Sequence, residues 1–365
     1  MLLAAAALLL VAACDKERRD AGSAPEDPVV NFYNWSDYVA PEVLPAFTRE
    51  TGIRVNYDVF DSNEILEGKL LAGTTGYDIV VPSGSFFAVQ VTADLFRELD
   101  MRALPNRRHL DPAVLQRVAP LDPGLHHGLP YMFGTTGLGY DAKKILARMP
   151  DAPLDSWDLL LRPEIVKHFA DCGVAILDAP DELQWITMTY LGLDPESGRK
   201  ADIEAGLQLV RRIRPYVRYF HSSAYIDDLA NGEICLALGW SGDIHQARRD
   251  AAPGIEIRYV IPKEGSLIWF DMLAIPVDAP HPRNAHRLFD FLMRPEIAAA
   301  NARATWYATP NRDALPLLPA EMRNDPMIYP DPQTMKRLKT DLPDPPRVVR
   351  LRNRAWINVK AGRAP

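Results

Sequence analysis

Cysteine, positive charge and long apolar runs are all scarce in this chain. Its 365 residues hold only three cysteines. Cys172 and Cys235 lie far apart with no histidine cluster nearby, which argues against a metal site. Lys and Arg number 41 against 48 Asp and Glu, a net charge of −7. Nucleic-acid binding wants a basic face, so that class is disfavoured, whereas a cationic ligand is compatible with the balance. Beyond residue 13 no apolar run reaches the length of a membrane span. There is no Gly-x-Ser-x-Gly elbow, no metal-spaced His pair and no phosphate loop. His126, His127 and His221 read as loop and capping residues, and no cofactor is implied.

What is present begins with Leu, Ala and Val over residues 1–13, ending Leu10-Val11-Ala12-Ala13-Cys14. This reads as a signal peptide, too short to span a membrane. Small residues directly before a cysteine resemble the bacterial lipobox, which implies that Cys14 carries lipid and heads the mature chain. Removal of an ordinary signal beside an accidental Cys14 is the alternative. The basic n-region is missing, which points to a true start several residues earlier. Asp15 resembles the signal that keeps lipoproteins in the inner membrane of double-membraned bacteria. Residues 14–28, polar and Pro- and Gly-containing, read as a flexible tether. The rest of the chain, at 47% hydrophobic and 24% charged overall, suits two globular domains. With Cys14 set aside, an even remainder in an exported protein suggests one disulfide, two buried free thiols being the alternative.

From Val29 strands and helices alternate. Val29–Phe32 is a strand, Ile53–Val59 alternates as a half-buried strand, and Ser62 caps a helix running to Ala72 with Gly73 at its end. Tyr77–Val81 is a buried strand halted by Pro82. Two long apolar stretches, Leu129–Tyr140 and Ser266–Pro276, interrupt this rhythm, and between them a second alternation runs from Val174 to Arg249. There Ser222 or Ser223 caps a short helix at Tyr225. The economical reading is an α/β chain with a second lobe inserted between two crossing strands, each lobe built around a mainly parallel sheet.

Strand ends carry the chemistry, since ligands of open α/β sheets bind beyond carboxyl termini of strands. Trp35, Ser36, Asp37, Tyr38 and Ser83 follow strands of the first lobe. Asp178, Asp181 and Glu182 follow Val174–Leu177; Ser222 follows Val217–Phe220, and Trp240 and Asp243 follow Ile234–Leu238. Trp269 and Asp271 lie on the second crossing, and Tyr307 in a later loop. Aromatics and acids thus recur with scarcely a basic residue, an array suited to a cation. Paired acids also serve glycosidases, so a carboxylate-dependent hydrolase is a remote alternative.

Tyr33–Tyr38, Val59–Glu64, Ser222–Asn231, Gly239–Asp243 and Arg354-Ala355-Trp356 resemble the polyamine-binding proteins of bacterial ABC importers, the putrescine branch most of all. The resemblance runs from about Val29 to the carboxyl terminus. It implies a type II periplasmic-binding fold with the ligand in a cleft between two lobes, here 29–134 with 270–315 and 135–269 with 316–365. It also implies a monomer in the periplasm, held at the inner membrane by its lipid, that passes a polyamine to a permease and its ATPase. A lipid-anchored sensor feeding a signalling protein is the alternative.

By position, Trp35, Tyr38, Trp240, Trp269 and Tyr307 resemble the family's aromatic box around the methylene chain. Asp243 and Asp271 resemble its acids for one ammonium, and Glu182 with Ser36 and Asp37 its set for the other. Ser83, Ser85 and Ser222 would add hydroxyls, and Cys172 and Cys235 match a paired position. Ser85, Ala179 and Asp243 resemble the putrescine-favouring pattern, while Trp269 stands where that branch usually has Phe, which keeps spermidine close behind. The hinge is expected near Gly134–Gly139 and Leu267–Asp271.

Overall fold

A computed structural model describes residues 26–362, so the signal peptide, Cys14 and most of the tether lie outside the described residues. Among the described residues ten strands form one hydrogen-bonded sheet: β1 (Val29–Trp35), β2 (Arg54–Phe60), β3 (Ile79–Val80), β4 (Gly128–Asp141), β5 (Val174–Ile176), β6 (Tyr219–Phe220), β7 (Leu236–Trp240), β8 (Ile257–Val260), β9 (Ser266–Ala274) and β10 (Leu338–Thr340). Their order is β2-β1-β3-β9-β4-β7-β5-β6, with β10 beside β9 and β8 beside β4.

At one end, β1 lies parallel to both β2 and β3. The helix Asn63–Ala72 starts where its sequence signals put it: Ile65 N–H donates to Ser62 Oγ at 3.3 Å, and Gly73 ends it at φ 68°. Strand β1 runs three residues past Phe32, so Tyr33–Trp35 belong to the strand and the turn is made by Ser36 and Asp37. Asp37 sits at φ 52°, a left-handed conformation that a short polar side chain tolerates.

The two apolar stretches become the crossing strands. β4, all fourteen residues buried, pairs antiparallel with β9 from Gly128↔Ala274 to Thr135↔Ile268. At Thr136 it changes partner and pairs with β7, starting at Thr136↔Trp240. Beyond β7 lie β5 and β6, parallel again. Phe32, Phe47 and Phe289 belong to one apolar core, and Trp157, Phe169, Tyr225 and Leu238 to another.

Two local readings need correction. Neither Ser222 nor Ser223 caps the helix Tyr225–Asn231; His221 Nδ1 accepts the N–H groups of Ser223 and Ala224, each at 3.1 Å. Ser222 Oγ instead accepts Asp178 N–H at 3.2 Å, which ties the ends of β6 and β5 together. The helix Lys200–Ile213 was not anticipated at all; it buries Ile203, Leu207 and Val210 on one face and packs against the helix Pro346–Lys360.

Cys172 and Cys235 form a disulfide, with Cα atoms 5.5 Å apart and a separation of 63 in sequence. They precede β5 and β7, whose register begins at Val174↔Leu236. The bond therefore staples the entry of two neighbouring parallel strands. Closing a loop of this length contributes about 4 kcal/mol in the chain-entropy model. Replacing both cysteines by serine is expected to lower unfolding free energy by up to ~4 kcal/mol, measured in urea; an unchanged midpoint would show that the staple adds nothing.

Candidate ligand-binding cleft

The cleft lies beyond the carboxyl ends of β1, β3, β5, β6 and β7, where β9 crosses. It encloses about 1010 Å³ of empty space, its open mouth included. All thirteen residues expected from sequence line it: Trp35, Ser36, Asp37, Tyr38, Ser83, Ser85, Glu182, Ser222, Trp240, Asp243, Trp269, Asp271 and Tyr307. Nine of its lining side chains are carboxylic acids and none is Lys, Arg or His. Among the described residues no three His, Cys, Asp or Glu side chains are grouped to hold a metal ion, so the acids are spread rather than convergent.

Three acids are pinned by neutral donors. Asp271 accepts from Tyr38 Oη at 2.7 Å and Ser83 Oγ at 2.8 Å. This explains why Ser83 starts the helix Gly84–Thr92 without capping it. Asp243 accepts from Tyr225 Oη at 2.6 Å and Tyr307 Oη at 2.5 Å. Glu182 accepts from Trp240 Nε1 at 2.9 Å and from Thr136 Oγ1.

Burial disfavours the charged form and outweighs those hydrogen bonds. It pushes the Asp243 carboxyl up to about 6, with Asp37 adding repulsion. Asp271 is pushed up to about 7 and Glu182 to about 8, the latter also by Asp181 and Asp341. Asp37 thus acts on Asp243 through space, whereas the acids acting on Glu182 are Asp181 and Asp341. Burial likewise holds the Tyr38, Tyr225 and Tyr307 hydroxyls well above the usual tyrosine range, so they stay donors.

The aromatic walls meet edge to face. Trp35 and Trp240 are 6.1 Å apart at 71°, Trp240 and Trp269 6.3 Å at 73°, and Trp269 and Tyr307 5.3 Å at 65°. Two glycines make room for them. A Cβ on Gly134 would meet the Trp269 ring at 2.6 Å, and one on Gly242 the Tyr307 ring at 2.6 Å. Tyr307 is aimed by Trp306, which ends the helix Pro295–Thr305 at φ 61°. That strained backbone is held by the Trp306 ring, stacked on His245 at 5.6 Å and covered by Arg248.

Sequence reasoning missed Asp341. It follows β10 in a Pro-rich connection and lines the cleft together with Ser85. Its place depends on β10 pairing with β9, Leu338↔Ser266, a contact that no local pattern announces.

This fold and cleft define a ligand-carrying protein, and residues 42–330 match the model of the bacterial extracellular solute-binding protein family, to which the chain belongs. It is a binding protein rather than an enzyme, which sets the hydrolase reading aside. The chain is 46% identical to the putrescine-binding periplasmic protein PotF of Escherichia coli over 93% of each sequence. It is also 46% identical to the putrescine-binding periplasmic protein SpuD of Pseudomonas aeruginosa, over 93% of this chain and 94% of that one. Among solved structures, the spermidine/putrescine ABC transporter substrate-binding protein PotD of Streptococcus pneumoniae superposes with a TM-score of 0.75 at 28% identity, over 92% of this chain and 99% of that one.

Two outcomes follow from this geometry. Carboxyls whose folded pKa lies above the unfolded value bind extra protons when folded, so their contribution to stability falls as pH rises towards the folded pKa. Buried His245, depressed from 6.5 to about 4, acts in the opposite sense below pH 6.5. Between pH 6.5 and about 8.5 the thermal midpoint of the empty protein should therefore decline, and Glu182→Gln with Asp271→Asn should flatten that decline; an equal slope in the variant would show that other groups titrate. Gly242→Ala should displace Tyr307 from Asp243 and weaken ligand binding by about tenfold or more, with the fold kept by circular dichroism. Unchanged affinity would mean that the Tyr307 bond is dispensable.

Proposed function

We propose that the cleft captures a linear polyamine, putrescine first and spermidine second, for delivery to the permease and ATPase of an ABC importer. One observation carries this reading: nine carboxyls, no base and a run of indole and phenol rings line one cavity. An alkyl chain with a cation at each end needs apolar walls closed by acids at both ends. Asp243 and Asp271 would receive one ammonium, and Glu182, Ser36 and Asp37 the other. Trp35, Tyr38, Trp240, Trp269 and Tyr307 flank the methylenes, with Ser83, Ser85 and Ser222 supplying hydroxyls. The names of the relatives, putrescine-binding and spermidine/putrescine-binding periplasmic proteins, support the same ligand class and the same compartment.

In this reading residues 29–134 with 270–315 form one lobe and 135–269 with 316–365 the other, with the hinge at the crossing strands. The partner change of β4 between Thr135 and Thr136 supports that division. The protein acts as a monomer anchored by lipid on Cys14. Among the described residues no helix is long and apolar enough to cross a membrane.

Calorimetry on the mature protein tests the reading. Putrescine should bind with release of protons, because an ammonium beside Asp271 or Glu182 favours the charged carboxylate. The signature is an apparent enthalpy that depends on the ionisation enthalpy of the buffer. Asp243→Asn or Asp271→Asn should cost roughly 2–5 kcal/mol of binding by leaving a ligand charge unpaired. A wild-type protein that binds no amine would overturn the assignment, and undiminished affinity in both variants would overturn the ion-pair roles.

A further inference from the structure

The helix Pro346–Lys360 is one-sided in charge. It carries Arg347, Arg350, Arg352, Arg354 and Lys360 and no Asp or Glu, in a chain of net charge −7. Its two faces use these bases differently. On the inner face Arg352 pairs with Asp344, while Trp356 Nε1 and Lys360 Nζ donate to the two oxygens of Asp178, each at 2.6 Å. Those groups are committed to packing and to the back of the cleft.

The outer face has no such use. Arg347, Arg350 and Arg354 fall at i, i+3 and i+7 and so share one side of the helix, and all three are exposed. Ile357 continues the line at i+10 and is 62% exposed. Among the described residues none of the three arginines forms an ion pair; Arg347 Nη2 meets the Gly198 carbonyl at 3.4 Å. The helix Lys200–Ile213 lies alongside and supplies no countercharge, because Asp202 pairs with Arg199 and Glu204 with Arg211. Glu196 faces the cavity that Asp344 and Arg352 line. A row of guanidinium forks left open to solvent matches phosphate oxygens set in a plane. An exposed Ile beside them suits the boundary between headgroups and acyl chains.

We propose that this stripe docks on an anionic lipid bilayer, with headgroup phosphates as its ligands. The partner follows from the anchored reading of the chain, on which this rests, since lipid on Cys14 holds the protein within a tether's length of a bilayer. A lipid anchor and a basic patch reinforce each other. None of the three arginines lines the cleft, so docking and ligand capture use separate surfaces.

The test is vesicle co-sedimentation of the mature chain carrying Cys14→Ser, which cannot take lipid, so that binding reports the protein surface alone. The vesicles are phosphatidylcholine alone, or phosphatidylcholine mixed equally with phosphatidylglycerol. The chain should sediment with the mixed vesicles at low salt, and with neither kind at high salt. Arg347→Gln, Arg350→Gln and Arg354→Gln combined should weaken that binding by about tenfold or more. A control combination, Arg102→Gln, Arg108→Gln and Arg312→Gln, removes the same charge from exposed arginines that stand beside Asp100 or Asp313. It should change binding by less than about threefold. Thermal midpoints of both combinations should match the parent's, so that lost sedimentation is not lost fold. The inference is overturned if the parent ignores the mixed vesicles, as a stripe made for an acidic protein would. It is equally overturned if pure phosphatidylcholine binds as well, or if the two combinations weaken binding alike or not at all. Each of those failures leaves the polyamine reading intact, because that reading is tested by calorimetry on a different surface.

Discussion

Two buried carboxyls and a half-buried third stand here without a base beside them, and the rest of the cleft is arranged around that constraint. Asp243, Asp271 and Glu182 each receive two hydrogen bonds, and every donor is a hydroxyl or an indole N–H. Neutral donors steady a carboxylate and orient it without cancelling its charge. A lysine or arginine in the same place would complete the ion pair internally and close the site to any outside cation. What remains are carboxyls at fixed points in a partly apolar enclosure, where an external ammonium draws them into the charged form and is worth more than in water.

Holding charge at fixed points has consequences for the whole chain. Tyr38 and Asp271 are 233 residues apart in sequence, and Ser83 and Asp271 are 188 apart. The acids therefore fasten the end of β1 and the start of the helix after β3 to the crossing strand β9. The same demand for position explains the local rule-breaking. Trp306 accepts a left-handed backbone so that Tyr307 turns inward, and Gly242 gives up a side chain so that the Tyr307 ring can lie against it. Neither choice helps the helix that carries it; both serve Asp243.

Most of this was legible in the sequence because it lies at strand ends, where period and turn residues mark position. Ser62 and Gly73 bracket their helix as read, and Trp35, Trp240 and Asp243 could be placed from the strands before them. The illegible parts are those set by tertiary contact. Asp341 enters the cleft only because β10 pairs with β9, three residues of strand inside a Pro-rich connection. Ser222 looked like a helix cap by its residue type, but His221 occupies that role and frees the serine to bond Asp178. The helix Lys200–Ile213 keeps helical spacing of its apolar residues but carries no cleft residue, so no chemistry marks it in the sequence.

The position of Thr136 joins the site to the architecture. It is the first residue that β4 gives to β7 after leaving β9, and its hydroxyl donates to Glu182. Its neighbour Thr135 is held through Tyr259 and Ser241, so the backbone at the partner change is itself well anchored. Trp240, which supplies the other bond to Glu182, is the residue paired with Thr136 across the ladder. Both donors to this acid therefore sit at the one place where the two halves of the sheet meet. Thr136, Trp240 and Glu182 all lie on the same side of that partner change, whereas Asp271 with its donors Tyr38 and Ser83 lies on the other, so the angle between the halves sets how far apart these two acids stand.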